Sequence, residues 1–214
     1  MDQDIEIINS NTRIEKIKNF FIEYKKHLIS VLIIIILVLF GFFFYEDYKS
    51  SKKEKLANQY NDLITNFNLE KKDDARDGLK NIINSKDKTY SPLAFYFLLD
   101  NDLINSNEEI NKYFDILIND LKLEKEIKNL VIFKKGLFNS EFVEENKLLS
   151  ILNPVIKSES IWKAHALYLM GEYYFSKNEM QKSKEFFDQI VSLQNVSLKI
   201  KSEAQKRLRT DFSE

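Results

Sequence analysis

The chain contains no cysteine. That removes disulfides, thiolate metal sites and cysteine nucleophiles together. Only 4 glycines and 2 prolines occur in 214 residues. A sandwich or barrel needs frequent turns, and those turns draw on Gly and Pro. Helices joined by short polar turns fit this composition better. Neither sign of charge prevails: 32 basic residues stand against 33 acidic, for a formal net charge of −1. A nucleic-acid binder presents a basic face, so no nucleic-acid partner is expected. Histidine is confined to His27 and His165, which have no ligand spacing to each other. Neither a glycine-rich phosphate loop nor a nucleophile elbow is found.

Acidic clusters supply no site either. Asp73-Asp74-Ala75-Arg76-Asp77-Gly78 faintly resembles a calcium loop. Ala75 replaces a required ligand, and Asn84 stands where a bidentate Glu belongs. Glu108-Glu109 and Glu144-Glu145 fall at helix N-termini, where the macrodipole favours acids. We therefore expect no catalytic residue, metal, cofactor or small-molecule substrate.

What the chain does have is one long hydrophobic run. Leu28 to Tyr45 reads LISVLIIIILVLFGFFFY, without a charge. As a helix it spans roughly 27 Å, close to the hydrocarbon core of a bilayer. A soluble helix of this length would show a polar face. Tyr45-Glu46-Asp47-Tyr48 offers no small-x-small cleavage site, so the run reads as an uncleaved signal anchor. Phe42, Phe43, Phe44, Tyr45 and Tyr48 would form an aromatic belt at one interface. Basic residues flank both ends: Arg13, Lys16, Lys18, Lys25 and Lys26 before it, and Lys49, Lys52, Lys53 and Lys55 after it. The balance leans toward a cytoplasmic N-terminus. Upstream, Ile14, Ile17, Phe21 and Tyr24 recur at three- and four-residue spacing. They mark an amphipathic helix that either lies on the inner leaflet or extends the membrane helix into the cytosol. The expected division is a cytoplasmic tail over 1–27, a transmembrane anchor over 28–45, and a periplasmic domain over 46–214.

From about Lys52 onward the periodicity is helical, broken by short polar stretches. Asn66 to Asp74 is one break, and Asn84 to Ser91 is another. Ser91-Pro92 reads as an N-cap followed by proline at the first helical position. Ser106-Asn107-Glu108-Glu109 is a capping-box pattern. Asn139-Ser140, Asn153-Pro154, Lys177-Asn178-Glu179 and Gln194-Asn195 supply the rest, with Asn153-Pro154 the firmest stop. The breaks define four helix pairs: 52–67 with 74–84, 92–104 with 107–119, 122–138 with 141–152, and 160–176 with 179–192. A final helix, 197–209, follows. The period is about 34 residues, that of a tetratricopeptide (TPR) array. The predicted fold is therefore all-α: an N-terminal transmembrane helix, then a TPR-like solenoid of about four helix pairs with a C-terminal capping helix. That cap places Val196, Ile200, Ala204 and Leu208 on one stripe and basic residues on the rest, as the last repeat of a solenoid requires.

The last pair carries the repeat pattern most fully. Leu167-x-x-Met170-Gly171-x-x-Tyr174 stands where the motif has W-x-x-L-G-x-x-Y. Ser183-x-x-x-Phe187 stands where it has A-x-x-x-F. Gly171 and Ser183 are small enough for two helices to approach closely. Tyr174 and Phe187 fill the space between repeats. Gly136 lies one repeat before Gly171. The side chains rotated away from the Gly171 contact are His165, Tyr168, Glu172 and Phe175. In a TPR array such a helix lines the concave face, so these four are the candidate partner-binding residues.

Four stretches resemble one bacterial family. They are Thr12-Arg13-Ile14-Glu15-Lys16 with Tyr24-Lys25-Lys26, the apolar run itself, Leu93-Ala94, and Ile161-Trp162-Lys163-Ala164 through Phe187. Together they are similar to the YfgM-like proteins, single-pass inner-membrane proteins with a periplasmic TPR-like domain. The resemblance implies an ancillary role at the SecYEG translocon. It also implies contacts with periplasmic chaperones, and no enzymatic activity. An envelope-organising TPR scaffold for cell-division or wall-synthesis proteins is the alternative of the same class. This chain has fewer alanines than the family uses to pack its helices.

Overall fold

The computed structural model describes residues 14–67 and 72–212. Thr12, Arg13 and the rest of the first thirteen residues lie outside these, as does part of the Asn66–Asp74 break. No strand occurs among the described residues. The chain divides into two compact units, Met1–Lys55 and Leu56–Glu214.

In the first unit, residues 14–23 are helical and Tyr24 forms a turn. Helix α1 (Lys25–Thr65) follows. Its most apolar stretch has a mean hydropathy of 3.0 and no buried part. Among the described residues it is the one helix long and apolar enough to cross a membrane. The sequence places a new helix near residue 52. Instead α1 runs unbroken from the apolar stretch to Thr65. The segment after Tyr45 contains neither glycine nor proline, so nothing in it ends a helix.

The second unit is a succession of helices: α2 (Lys72–Asn84), α3 (Tyr90–Asp100), α4 (Asn107–Asp115), α5 (Lys125–Asn139), α6 (Glu145–Ile156), α7 (Lys163–Ser176), α8 (Met180–Ser192) and α9 (Leu198–Asp211). A π-helical turn over Ile116–Asp120 prolongs α4. In the C-terminal half the neighbours are those expected: α5 lies against α6, α7 against α8, and α9 against α8. In the N-terminal half α2 lies closest to α3. Ser91 explains this. It is fully buried inside α3 and donates a 3.0 Å hydrogen bond to the Ile82 carbonyl of α2. It is therefore not the N-cap that the sequence suggests. The Asp87 carboxylate caps α3 instead, accepting from the backbone N–H groups of Thr89 and Tyr90 at 2.8 and 2.9 Å.

Pro154 is a second departure. It sits inside α6 rather than ending it. The apolar stripe Leu148, Leu152, Val155 continues past the proline, and all three are fully buried. Each such side chain contributes about 1.5–3 kcal/mol when withdrawn from water. That offsets one missing hydrogen bond in the last turn. Ser106 behaves as expected, accepting from the Glu109 N–H at 3.3 Å. None of the described glycines has a positive φ. The left-handed turns fall to Lys86, Asp102 and Asn178, just after α2, α3 and α7.

The core forms three clusters in chain order. The first joins Leu79 and Ile83 of α2, Phe95 and Leu98 of α3, and Phe114 of α4, with Leu56, Tyr60 and Leu63 of α1 packed on it. The second gathers Ile132, Leu148, Leu152, Val155 and Met170. The third holds Leu167, Phe187, Ile190 and Ala204. Polar ties cross between helices. Asn111 and Asn139 exchange amide hydrogen bonds of 3.0 and 2.8 Å between α4 and α5. Glu109 accepts from Tyr113 at 2.9 Å and pairs with Lys80 of α2 at 2.7 Å. Glu145 of α6 accepts from Tyr174 of α7 at 2.8 Å and from Lys182 of α8.

Two predictions follow from this packing. A Cβ on Gly171 would meet the Phe187 ring at 2.8 Å. Gly171→Leu should lower stability by about 1–3 kcal/mol through overpacking. In a thermal melt of the detergent-solubilised chain, each kcal/mol lowers Tm by about 2–4 °C. An unchanged melt would place Gly171 away from the contact. The second concerns acid. Burial pushes the Glu109 carboxyl up, but hydrogen bonds from Lys80 and Tyr113 outweigh it and hold the group below the usual range. Hydrogen bonds from Tyr174 and Lys182 lower Glu145 likewise. A carboxyl with a depressed folded value contributes stability above its unfolded pKa, and that is lost as pH falls through the folded value. The denaturant midpoint should therefore fall on acidification below about pH 4.3. Glu109→Gln should flatten the slope, and an identical slope in that variant would refute the assignment.

Candidate interaction site

Helix α7 positions the four residues proposed from sequence as a binding face. Ala164, Ala166, Leu167, Met170, Gly171 and Tyr174 point into the core. His165, Tyr168, Glu172 and Phe175 are half-buried on another side of the helix. That side meets α9. Arg207 of α9 forms a two-pronged ion pair with Glu172: its Nε donates to Oε1 at 2.7 Å and its Nη2 donates to Oε2. The Arg207 Nη1 also donates to Asp211 at 2.7 Å. The guanidinium lies 4.7 Å from the centre of the Phe175 ring. Its hydrogen bonds to the Glu172 carboxylate hold its proton even more firmly than usual. Phe175 meets Phe212 edge-on at 6.1 Å. Glu172 and Phe175, two of the four expected binding residues, contact α9 and the Phe212 just after it.

The other two residues stay more open. His165 and Tyr168 line a cavity of about 380 Å³ with Ser197, Lys199, Ile200 and Glu203. Burial and the Glu172 charge push the Tyr168 hydroxyl up, and its ring packs 5.3 Å from Phe187. His165 lies 5.3 Å from Trp162 and 5.9 Å from Phe133, and those two rings stack on each other. Its Nδ1 is buried without a hydrogen-bond partner. A second recess, of about 880 Å³, runs along Trp162 and Asn195 and shares His165 and Ser197 with the first. The expected face thus divides into a closed half and an open cleft with aromatic walls.

The residues proposed for repeat packing occupy helix contacts. Gly136 faces Leu152, and an added Cβ would run into that side chain. Ser183 is fully buried and donates to the Gly171 carbonyl at 2.8 Å. Phe187 is fully buried, and Tyr174 stacks on Phe186. Two contributors escaped the sequence reading. Glu126 of α5 accepts from Ser160 Oγ at 2.7 Å and from the Ile161 N–H, tying the loop before α7 to the preceding repeat. Arg207 is the other. Both links join residues 34 or 35 apart, one repeat length. Opposite or complementary groups at that separation were the available signal. The residues of the faint calcium pattern begin a regular helix, with Asp73 paired to Arg76 at 2.8 Å. Among the described residues no group of three His, Asp or Glu side chains could hold a metal ion.

Stacked helix pairs closed by a capping helix make a TPR-like fold. Residues 18–103 match a family described as tetratricopeptide repeat-like domain. That region takes in the apolar stretch of α1 together with α2 and α3. No curated protein and no solved structure matches the chain. TPR-like repeats point to a role in protein–protein interaction, and no catalytic family is indicated.

Glu172→Lys would set two cations face to face across the α7–α9 contact. Exchange protection of the backbone amides over 198–211 should fall, while α2 to α6 keep theirs. Full protection of α9 in the variant would show that apolar contact alone holds the cap.

Proposed function

We propose that this chain is a non-enzymatic interaction subunit of the bacterial inner membrane, ancillary to the SecYEG translocon and the periplasmic chaperones that serve it. Residues 1–27 are the cytoplasmic tail, 28–45 the single membrane anchor, and 46–214 the periplasmic TPR-like domain. The observation that carries the reading is the stack of helix pairs, together with a TPR-like family match over residues 18–103 and one anchor-length apolar helix at its N-terminal side. The translocon assignment is supported by the resemblance to YfgM-like proteins in the four stretches quoted above. Within the domain, the open cleft beside His165 and Tyr168 is the contact surface. Tyrosine offers large contact area at low entropy cost, which suits an interface anchor. Glu172 and Phe175 serve it indirectly by fixing α9, its far wall.

Purification from mild detergent tests the assignment. Translocon subunits should co-purify with the chain. Recovery of division or wall-synthesis proteins in their place would move it to the envelope-scaffold class. Tyr168→Ala should weaken crosslinking to those partners at equal protein level, and unchanged crosslinking would take the cleft out of the interface. Ser50→Cys should label with a membrane-impermeant thiol reagent from the periplasmic side. Labelling from the cytoplasmic side alone would invert the topology.

A further inference from the structure

Among the described residues nothing covers the helix over residues 14–23, and its side chains are sorted by chemistry around the helix. Ile14, Ile17, Phe20, Phe21 and Tyr24 are all exposed, Ile17 and Phe21 at 58% and 59%. At the α-helical pitch of 3.6 residues per turn these five fall within an arc of about 120°. Lys16 and Lys18 stand just outside the two edges of that arc, one on each side. Glu15, Asn19 and Glu23 occupy the opposite face. Ile22 is the one apolar residue on the polar side, exposed at 66%. The apolar face is reinforced along its length, because Phe20 packs 4.9 Å from Tyr24 and Tyr24 lies 6.2 Å from His27.

We propose that this helix lies in the plane of the membrane that holds the anchor, its apolar arc sunk into the boundary between headgroups and acyl chains. The proposal rests on the reading of 28–45 as a membrane span. Three features select lipid over a protein as the occupant. The first is continuity: only Tyr24 stands between this helix and α1. Helical hydrogen bonds from the Tyr24 N–H to Phe20 and from the Leu28 N–H to Tyr24 run through it, so lying in the plane requires the chain to bend at that one turn, next to the start of the apolar run. The second is the placement of charge. Lysines bordering an apolar face extend their alkyl stems along it and deliver the ammonium to the headgroup layer. Of the two acids, Glu15 sits near the centre of the polar face, and Glu23 stands beside Lys16 on the wheel. A docking face for another protein has no need of that arrangement. The third is the ring content: aromatic side chains with a polar edge settle at the membrane interface. Lys25 and Lys26 add positive charge at the same depth, where basic residues are attracted to anionic lipid.

The absence of cysteine makes the test direct. The full-length chain, with one substitution at a time among Glu15→Cys, Ile17→Cys, Asn19→Cys, Phe21→Cys and Leu37→Cys, is spin-labelled. It is then reconstituted alone into nanodiscs of phosphatidylethanolamine and phosphatidylglycerol. Collision with oxygen, which concentrates in lipid, is compared with collision with a water-soluble nickel chelate. The ratio should shift toward oxygen at 17 and 21 and toward nickel at 15 and 19, with 37 the most oxygen-exposed of all. Nickel exposure at all four tail positions with 37 still in lipid would overturn the proposal and leave the anchor standing. Oxygen exposure at all four would overturn it too, by making the tail a continuation of the span. Spin–spin broadening confined to 17 and 21 would assign the face to a second copy and overturn it. Nickel exposure at 37 would bring down the anchor reading and this proposal together.

Discussion

At Gly171 and at Gly136 a helix backbone rests directly against a large side chain of the next helix. The partners, Phe187 and Leu152, stand at the same sequence offset from their glycines. Any side chain on either glycine would have to displace atoms already in van der Waals contact. That constraint sets how deeply one helix of a pair sinks against the other. The rest of the C-terminal half follows from it. Ser183 can reach the Gly171 carbonyl only because the helices are this close. Phe187 is thereby carried inward until it meets Tyr168, and its other side is left to Phe212 near the end of the chain. Glycine is thus used here for proximity between helices, while residues with side chains take the strained turns.

The helices were legible because each carries its own apolar stripe with polar punctuation at both ends. Boundaries mostly agree within a few residues. Where they disagree, a tertiary contact overrode a local signal. Pro154 looked like a stop, yet the burial of Val155 one residue later holds the turn helical. Ser91 looked like a cap, yet its hydroxyl is more valuable inside, bonded to the Ile82 carbonyl. The join between the apolar run and the first repeat helix carried no signal at all, since a helix continues unless something ends it.

The candidate face on α7 was legible as a face, but what covers it was not. Periodicity around Gly171 separates core positions from the rest, and it put His165, Tyr168, Glu172 and Phe175 together. What covers that face depends on where α9 lands, which is a matter of packing between distant segments. Arg207 was visible only as one of several basic residues on a polar helix. Its pairing with Glu172 turns two of the four residues into part of the scaffold and leaves the other two at the open end of a cleft. A solenoid end needs a polar outer surface and an apolar inner one. Here the inner surface is held by an ion pair as well as by Ala204, Ile200 and Leu208.

The three core clusters follow one another along the chain, and each draws on helices close in sequence. A chain built this way has short loops to close at every stage. The first cluster needs nothing beyond α5, so it can assemble while the later helices are still being delivered. In a chain synthesised from its N-terminus, that ordering matters. Folding can follow emergence helix by helix, and each completed pair offers the next a ready surface. Helix α9 closes the stack by packing on α8.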